Sequence, residues 1–229
     1  MFSRRARSIP AAIVALVLHS LIVRGEATGF PDPAKDIPAS PGKTQETAVL
    51  AGGCFWGMEA IFERLNGVSD VVSGFAGGSR STAHYEIVSM GATGHAESVK
   101  ITYDPSQVTF GRLLKVFFAV AHDPTQLNRQ GPDEGTQYRS SIFYANDEQK
   151  AVALAYIQQL AAAGVFRRPI VTKVAPLEGF YPAEAYHQHF LERNPTYPYI
   201  VYNDLPKLKH LEQEFPQLLK PASGAGQRR

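Results

Sequence analysis

The chain has 229 residues, 44% of them hydrophobic, and its 23 basic side chains nearly balance 21 acidic ones. A net charge of +2 without a basic cluster offers no electrostatic surface for nucleic acid, which excludes a nucleic-acid-binding protein. Cys54 is the only cysteine, so no disulfide can form within the sequence.

The first 27 residues have the pattern of a secretory signal peptide. Three arginines precede an apolar run over residues 11–23, and Gly25 and Ala27 are small residues that suit a signal peptidase. The run is shorter than the about 20 residues of a membrane span, although an uncleaved anchor helix is an alternative. We therefore predict cleavage after Ala27, export to a bacterial periplasm and no membrane association afterwards. The leader carries a net charge of +3, which leaves −1 on the rest of the chain.

The remaining sequence divides into three parts. We predict a linker over residues 28–45, which is rich in Pro, Gly, Ala, Lys and Asp, and a disordered, polar tail over residues 217–229. Between them lies one folded domain over residues 46–216, because a stretch of this length without internal repeats corresponds to a single domain.

The first half of this domain alternates strands and helices. Apolar residues between positions 56 and 65 recur every three or four residues, as in a helix with one buried face. The segment over 97–103 alternates polar and apolar residues, as in a strand. We predict, in order, a strand over 46–51, a helix over 56–65, a strand over 68–75, a short helix over 83–89 and a strand over 97–103.

The second half contains more loops. Thr109 is a suitable cap for a helix, and Asn146 with Gln149 forms the pattern of a capping box. We predict a helix over 109–121, a polar loop over 123–135, a strand over 140–145, a helix over 146–163, a strand over 170–175 and helices over 182–193 and 206–215. This order predicts an α+β fold, a two-layer α/β sandwich in which helices pack on one mixed sheet, with long C-terminal loops.

Cys54 lies where the first strand passes into the first helix, within the segment AGGCFWG. The two preceding glycines permit a tight turn and the close approach of another molecule. Free N–H groups at a helix start stabilise a thiolate, so we expect a lowered pKa and a reactive thiol. The alternative is an inert cysteine that only fills space.

Four motifs occur in a characteristic order: GCFWG at 53–57, TGHAE at 93–97, HDPT at 122–125 and QYRS at 137–140. On these motifs the chain resembles the type A peptide methionine sulfoxide reductases from Thr47 to Asn203. The resemblance implies a ferredoxin-like core and reduction of the S epimer of methionine sulfoxide, free or in proteins. It also implies that the reaction needs no metal or organic cofactor.

The resemblance further implies a role for each of seven residues. These are the nucleophile Cys54, the methyl-binding pair Phe55 and Trp56, the acid Glu97, the oxygen-binding pair Tyr85 and Tyr138, and the supporting Asp133. The chemistry is consistent, because thiolate attack on sulfur requires protonation of the oxygen by an acid that is neutral at working pH. Burial would have to raise the pKa of Glu97 for that purpose. Without the resemblance, the six residues other than Cys54 would be interpreted as ordinary core, surface, strand or turn residues.

The sequence departs from many relatives, which carry one or two further cysteines that form a disulfide during the cycle. With Cys54 alone, the sulfenic acid must react with an external thiol. We predict as reductant either a thioredoxin-like protein or a glutathione- or glutaredoxin-like thiol, and a monomeric enzyme that repairs oxidised exported proteins.

Two other functions are compatible with a lone thiol. One is a Cys–His thiol hydrolase with His95 or His187 as the base, and the other is a binding module with an aromatic pocket. His187 and His189 also suggest a metal site, but two histidines fall short of the three or four ligands that zinc requires.

Overall fold

The computed structural model describes residues 30–38, 42 and 44–221. The predicted signal peptide lies outside the described residues, as does the end of the tail from residue 222. Within the described part, no helix combines the length and the apolar character that crossing a membrane requires.

The domain is built on a six-stranded mixed sheet with a separate two-stranded ribbon. The strands are β1 (Glu46–Ala51), β2 (Val68–Ala76), β3 (Ala96–Tyr103), β4 (Arg129–Gln130), β5 (Asp133–Glu134), β6 (Ser141–Tyr144), β7 (Lys173–Pro176) and β8 (Phe180–Pro182). The sheet order is β7-β6-β1-β3-β2-β8, and β4 pairs only with β5. Every neighbouring pair in the sheet is antiparallel except β6 and β7, which run parallel.

The helices are α1 (Phe55–Glu63), α2 (Tyr85–Val88), α3 (Phe110–Val116), α4 (Asp147–Ala162), α5 (Phe190–Arg193) and α6 (Leu205–Glu214). Alternate residues of β1 face opposite sides of the sheet, as the pleat requires. Leu50 joins the main core with the helices, whereas Val49 belongs to a smaller cluster on the opposite face. The predicted α+β architecture with a mixed sheet is confirmed.

Both predicted helix caps form. The Thr109 side chain accepts a hydrogen bond from the Arg112 N–H at 3.2 Å, and the Asn146 side chain accepts one from the Gln149 N–H at 2.9 Å. The helix predicted to run to residue 121 changes character, however. Regular α3 ends at Val116, and Phe117–Ala121 continues as a single π-helical turn.

The prediction of a helix over 182–193 is wrong. The segment begins at the end of β8, and only Phe190–Arg193 is helical. Between them, the Gln188 side-chain amide bonds to both backbone groups of Ser73 at 2.9 Å, in the manner of a neighbouring strand. His189 then adopts a left-handed backbone with φ of 50°. The helix is interrupted because this amide satisfies the edge of β2 better than another helical turn could.

The described part of the predicted linker is attached to the domain. The Tyr156 hydroxyl donates to the Pro31 carbonyl at 2.6 Å. Asp36 accepts hydrogen bonds from the Gly111 N–H at 2.8 Å and from the Thr109 hydroxyl. Residues 30–38 therefore pack along α3 and α4 and form part of the folded unit.

The prediction of disorder from residue 217 is wrong for residues 217–221. Leu219 forms a β-bridge with Leu65, and the Lys220 N–H donates to the Arg64 carbonyl at 2.8 Å. These bonds satisfy carbonyl groups at the C-terminal end of α1, which would otherwise lack partners. The remaining boundaries of the linker, domain and tail stay predictions.

Candidate active site

Cys54 caps the N-terminus of α1 directly after β1 and is 9% exposed. Its side chain opens into a cavity of about 170 Å³. The seven residues singled out in the sequence all line this cavity together with two that were missed: Cys54, Phe55, Trp56, Tyr85, Glu97, Asp133, Tyr138, Tyr197 and Tyr199. The fold thus brings residues from five separate segments around one thiol.

The two glycines before Cys54 leave space for other side chains of the same chain. A Cβ atom on Gly52 would lie 2.9 Å from the His122 ring, and one on Gly53 would lie 2.5 Å from Gln130. Gly53 also has a φ of 94°, which favours glycine. The expected close approach by another molecule is therefore wrong at these positions, because the His122 and Gln130 side chains occupy the space.

His122 supports the thiol loop from behind as a neutral residue. It is buried, its Nδ1–H donates to the Phe117 carbonyl at 2.9 Å, and its Nε2 accepts from the Ser140 hydroxyl at 2.7 Å. Burial lowers the pKa of His122 to about 4. The HDPT motif thus contributes a fixed, uncharged wall beneath Gly52.

Glu97 projects from β3 to the start of α1. Its Oε2 accepts a hydrogen bond from the Phe55 N–H at 3.1 Å, and the side chain is almost fully buried. Burial raises the pKa of Glu97 to about 8, helped by nearby Asp133 and opposed by the Phe55 N–H. The carboxyl is therefore protonated at neutral pH, as its predicted role as an acid requires.

The expectation of a lowered thiol pKa is wrong. Burial raises the pKa of Cys54 well above its ordinary value, and Glu97, Asp204 and Asp133 raise it further. The Trp56 N–H at the helix start acts in the opposite direction but is outweighed. A helix terminus contributes only about 0.3–1 kcal/mol in ordinary cases, less than burial of a charge costs. The free site therefore holds a neutral thiol beside a neutral carboxylic acid.

Two phenols complete the polar side of the cavity. Burial, with Glu97 as the next contribution, raises the pKa of Tyr85 to about 12 and that of Tyr138 further still. Both hydroxyls therefore keep their protons at neutral pH and can donate hydrogen bonds to an oxygen atom in the cavity.

Asp133 lies on the β4–β5 ribbon, where its Oδ2 accepts a hydrogen bond from the Tyr199 hydroxyl. Tyr197 and Tyr199 were not identified from the sequence. Their Tyr-Pro-Tyr segment lies between two predicted helices, and aromatic residues in such a connecting loop are a usable sign of a binding site.

Asp204 is a third residue that was not identified from the sequence. It is fully buried next to Gly57, where an added Cβ atom would lie 2.1 Å from its Oδ1. Burial raises the pKa of Asp204 to about 6, while Lys207 lowers it. The last glycine of the GCFWG motif thus admits a carboxyl group against α1.

Trp56 forms the apolar wall of the cavity, and contacts on several sides fix its ring. Its ring stacks on Phe190 with centroids 3.8 Å apart and meets the Tyr199 ring edge-on at 5.9 Å. Its Nε1–H donates to His187 Nδ1 at 3.2 Å, which places the remaining imidazole proton on Nε2. His187 therefore orients the indole.

Neither histidine proposed as a hydrolase base is bonded to the thiol. His187 Nδ1 is occupied by Trp56, and His95 Nε2 bonds to the Ser79 carbonyl at 2.9 Å. Within the described residues, no histidine makes a hydrogen bond to the Cys54 sulfur, which a Cys–His base would need. No feature of this cavity favours a hydrolase.

Comparison with known proteins gives consistent results. A family described as peptide methionine sulfoxide reductase matches residues 46–219. The peptide methionine sulfoxide reductase MsrA 2 of Mesorhizobium japonicum is 61% identical over 80% of this chain and 93% of its own length. The protein of the same name from Synechocystis is 51% identical over 92% of this chain and 99% of its own length.

Two solved structures share the fold. The reduced form of Mxr1 from Saccharomyces cerevisiae has a TM-score of 0.60 at 35% identity and covers 70% of this chain and 91% of its own. Methionine sulfoxide reductase A of Corynebacterium diphtheriae has a TM-score of 0.57 at 39% identity and covers 73% of this chain and 87% of its own.

Proposed function

The chain belongs to the type A peptide methionine sulfoxide reductase family, an oxidoreductase family acting on a sulfur group, and we propose that it works through a one-cysteine cycle. The observation that carries this proposal is the pairing of the chain's single thiol with a buried, protonated carboxyl in a small aromatic cavity. The substrate is the S epimer of methionine sulfoxide, free or in proteins.

In the first step, the sulfoxide enters with its methyl group against Phe55 and Trp56. Its oxygen accepts hydrogen bonds from Tyr85 and Tyr138, which stabilise the negative charge that grows there. Glu97 gives its proton to this oxygen while the Cys54 sulfur forms a bond to the substrate sulfur. The thiol of Cys54 then gives its proton to the carboxylate of Glu97, which returns to its acid form. The step therefore takes up no proton from solvent.

The redox balance of this step involves two electrons. The substrate S–O bond and the new bond between the two sulfurs then break, and the oxygen forms a bond to the Cys54 sulfur. Cys54 becomes a sulfenic acid, and the substrate sulfur becomes the thioether of methionine. The substrate sulfur gains two electrons, and the Cys54 sulfur loses them. The hydrogen bond between Tyr199 and Asp133 holds the ribbon at the edge of the cavity during this exchange.

Regeneration requires thiols from outside, because the sequence contains no second cysteine. One thiol attacks the sulfenic acid, which releases water and leaves a mixed disulfide on Cys54. A second thiol then attacks the mixed disulfide and restores the Cys54 thiol. A thioredoxin-like protein, a glutaredoxin or glutathione would each supply this chemistry.

The signal-peptide pattern in the sequence supports action outside the cytoplasm, in a bacterial periplasm. We propose repair of oxidised exported proteins by a monomeric enzyme that is free of the membrane after cleavage. Fractionation of cells that express the full chain tests this location, and recovery of the uncleaved chain in the cytoplasm would contradict it.

Mass spectrometry after a single turnover tests the one-cysteine cycle. The reduced enzyme is mixed with one equivalent of methionine S-sulfoxide in the absence of thiol. We expect one added oxygen on Cys54 and one equivalent of methionine, and subsequent glutathione should convert the oxygen adduct into a mixed disulfide. Cys54→Ser is the control and should yield no methionine. Methionine release without modification of Cys54 would overturn the cycle.

A further inference from the structure

A second cavity, of about 590 Å³, adjoins the active site across Trp56, whose side chain lines both cavities. Its wall is formed by α1, by the segment that begins α5 and by the C-terminal residues that fold back onto α1. Glu59 and Glu63 lie one helical turn apart on α1 and face His189 across this space. None of these three residues has a place in the proposed reaction cycle.

The three side chains converge on one point. One possible ligand atom from each of Glu59, Glu63 and His189 lies within 4.8 Å of the other two. His189 Nδ1 is 2.7 Å from Glu63 Oε1, and the His189 backbone N–H donates to Glu59 Oε2 at 2.9 Å. The backbone bond fixes His189 opposite α1, so the imidazole and both carboxyl groups are brought together by the fold.

Glu59 has an unused acceptor atom. Its side chain is only 1% exposed, and its Oε1 makes no hydrogen bond of ordinary length among the described residues, although the buried Ser73 hydroxyl interacts with this carboxyl. A buried carboxyl oxygen without a close hydrogen-bond partner is destabilising, so a ligand at this atom would be stabilising. The Glu63 carboxyl converges on the same point as the Glu59 carboxyl, and two carboxylates this close repel. A cation between them would remove this repulsion.

We propose that Glu59, Glu63 and His189 bind a divalent transition-metal ion such as Zn²⁺. Two carboxylate oxygens and one imidazole nitrogen form a common donor set for this ion, and the open cavity leaves room for water at the remaining positions. The ion replaces the direct contact between His189 Nδ1 and Glu63 Oε1.

The distances require only modest rearrangement. Zinc bonds of about 2.0–2.2 Å place tetrahedral ligands about 3.3 Å apart. Rotation of the Glu63 and His189 side chains closes the gap, and both are partly exposed, at 28% and 52%. Glu59 supplies the rigid ligand and the other two adapt. Sequence reasoning considered only the pair His187 and His189, but the fold turns His187 toward Trp56 and gives His189 two glutamates instead.

Metal titration of the full chain tests this proposal. The protein is freed of metal with a chelator and carries Cys54→Ser, which removes the one thiol that could bind zinc elsewhere. Calorimetry follows Zn²⁺, and fluorescence follows Co²⁺, which should quench Trp56, the only tryptophan. We expect one ion per chain for both metals and no binding of Mg²⁺ at the same concentrations, because the imidazole favours softer ions.

Variants identify the ligands. His189→Ala and Glu63→Gln should each weaken binding at least tenfold, since even an indirect partner of a metal ligand is worth about 10–100-fold in affinity. Glu59→Gln should act similarly, and its folding is checked by circular dichroism. The matched controls are His210→Ala, an exposed histidine on α6, and Glu192→Gln, which lines the same cavity outside the trio. Both should bind within twofold of the parent. Absence of binding, or unchanged affinity in His189→Ala and Glu63→Gln, would overturn the proposal.

Discussion

Two glutamates, Glu97 at the start of α1 and Glu59 on α1, are both buried but have different surroundings. Burial raises the pKa of both, to about 8 and about 7. Glu97 accepts a hydrogen bond from the start of the helix and faces a thiol and phenols, in a cavity of about 170 Å³. Glu59 faces a second carboxyl and an imidazole in a cavity of about 590 Å³. Burial thus raises the pKa of each carboxyl, whereas the neighbours distinguish the proton transfer proposed for Glu97 from the cation binding proposed for Glu59.

The largest expected effect is a difference in the rate of sulfoxide reduction between variants of the two glutamates. Glu97→Gln keeps the acceptor for the Phe55 N–H but cannot give a proton, so kcat for sulfoxide reduction should fall about 10²–10⁴-fold. The loss in Glu59→Gln should be at least tenfold smaller, because Glu59 does not face the reacting atoms. Both are measured by methionine formation with dithiothreitol as reductant. Equal losses would mean that the two carboxyls do not differ in function.

The next effect concerns stability as a function of pH. The pKa of Glu97 is about 8 in the folded protein and near 4.5 when unfolded, so the native state binds the extra proton between these values. Its contribution to stability is complete below about pH 4.5 and is lost as the pH rises toward 8. From about pH 5 to about pH 8, the parent should lose about 3 kcal/mol of unfolding free energy relative to Glu97→Gln. Urea unfolding at the two pH values measures this, and a constant difference would show that Glu97 is already ionised at neutral pH.

The smallest effect contrasts His187, which accepts a hydrogen bond from Trp56, with His189, which lines the larger cavity. His187→Phe removes the acceptor of the Trp56 Nε1–H, a bond worth about 1 kcal/mol, so KM should rise about fivefold with a smaller change in kcat. Zinc affinity should not change, because His187 lies outside the trio. His187→Gln, which retains an acceptor, should recover part of the KM. A fall in kcat alone would instead assign His187 to the chemical step.

Several elements followed from local signals. The caps at Thr109 and Asn146 formed as predicted, because a cap depends on groups only three residues apart. β1 occupies the predicted residues 46–51, since its apolar side chains suit a strand that is paired on both sides. The family resemblance that the short motifs carry likewise led to seven residues that line one cavity.

Other features depended on contacts between distant segments. The helix predicted over 182–193 failed because Gln188 pairs with Ser73, a residue far away in the sequence. The pKa of the Cys54 thiol is raised rather than lowered, because burial and three carboxyl groups from other segments exceed the local effect of the helix start. Tyr199 and Asp204 were missed because their partners, Asp133 and Gly57, come near only in the folded chain.

By itself, the sequence determined the lone thiol, the motifs around it and the order of most elements, and it led to the proposal of an external reductant. These depend on residue identity and on interactions between near neighbours in the chain. Only the tertiary structure decided the protonation of the site, the reason for its glycines and the meeting of Glu59, Glu63 and His189. Desolvation and charge interactions depend on distances in space, and folding sets those distances.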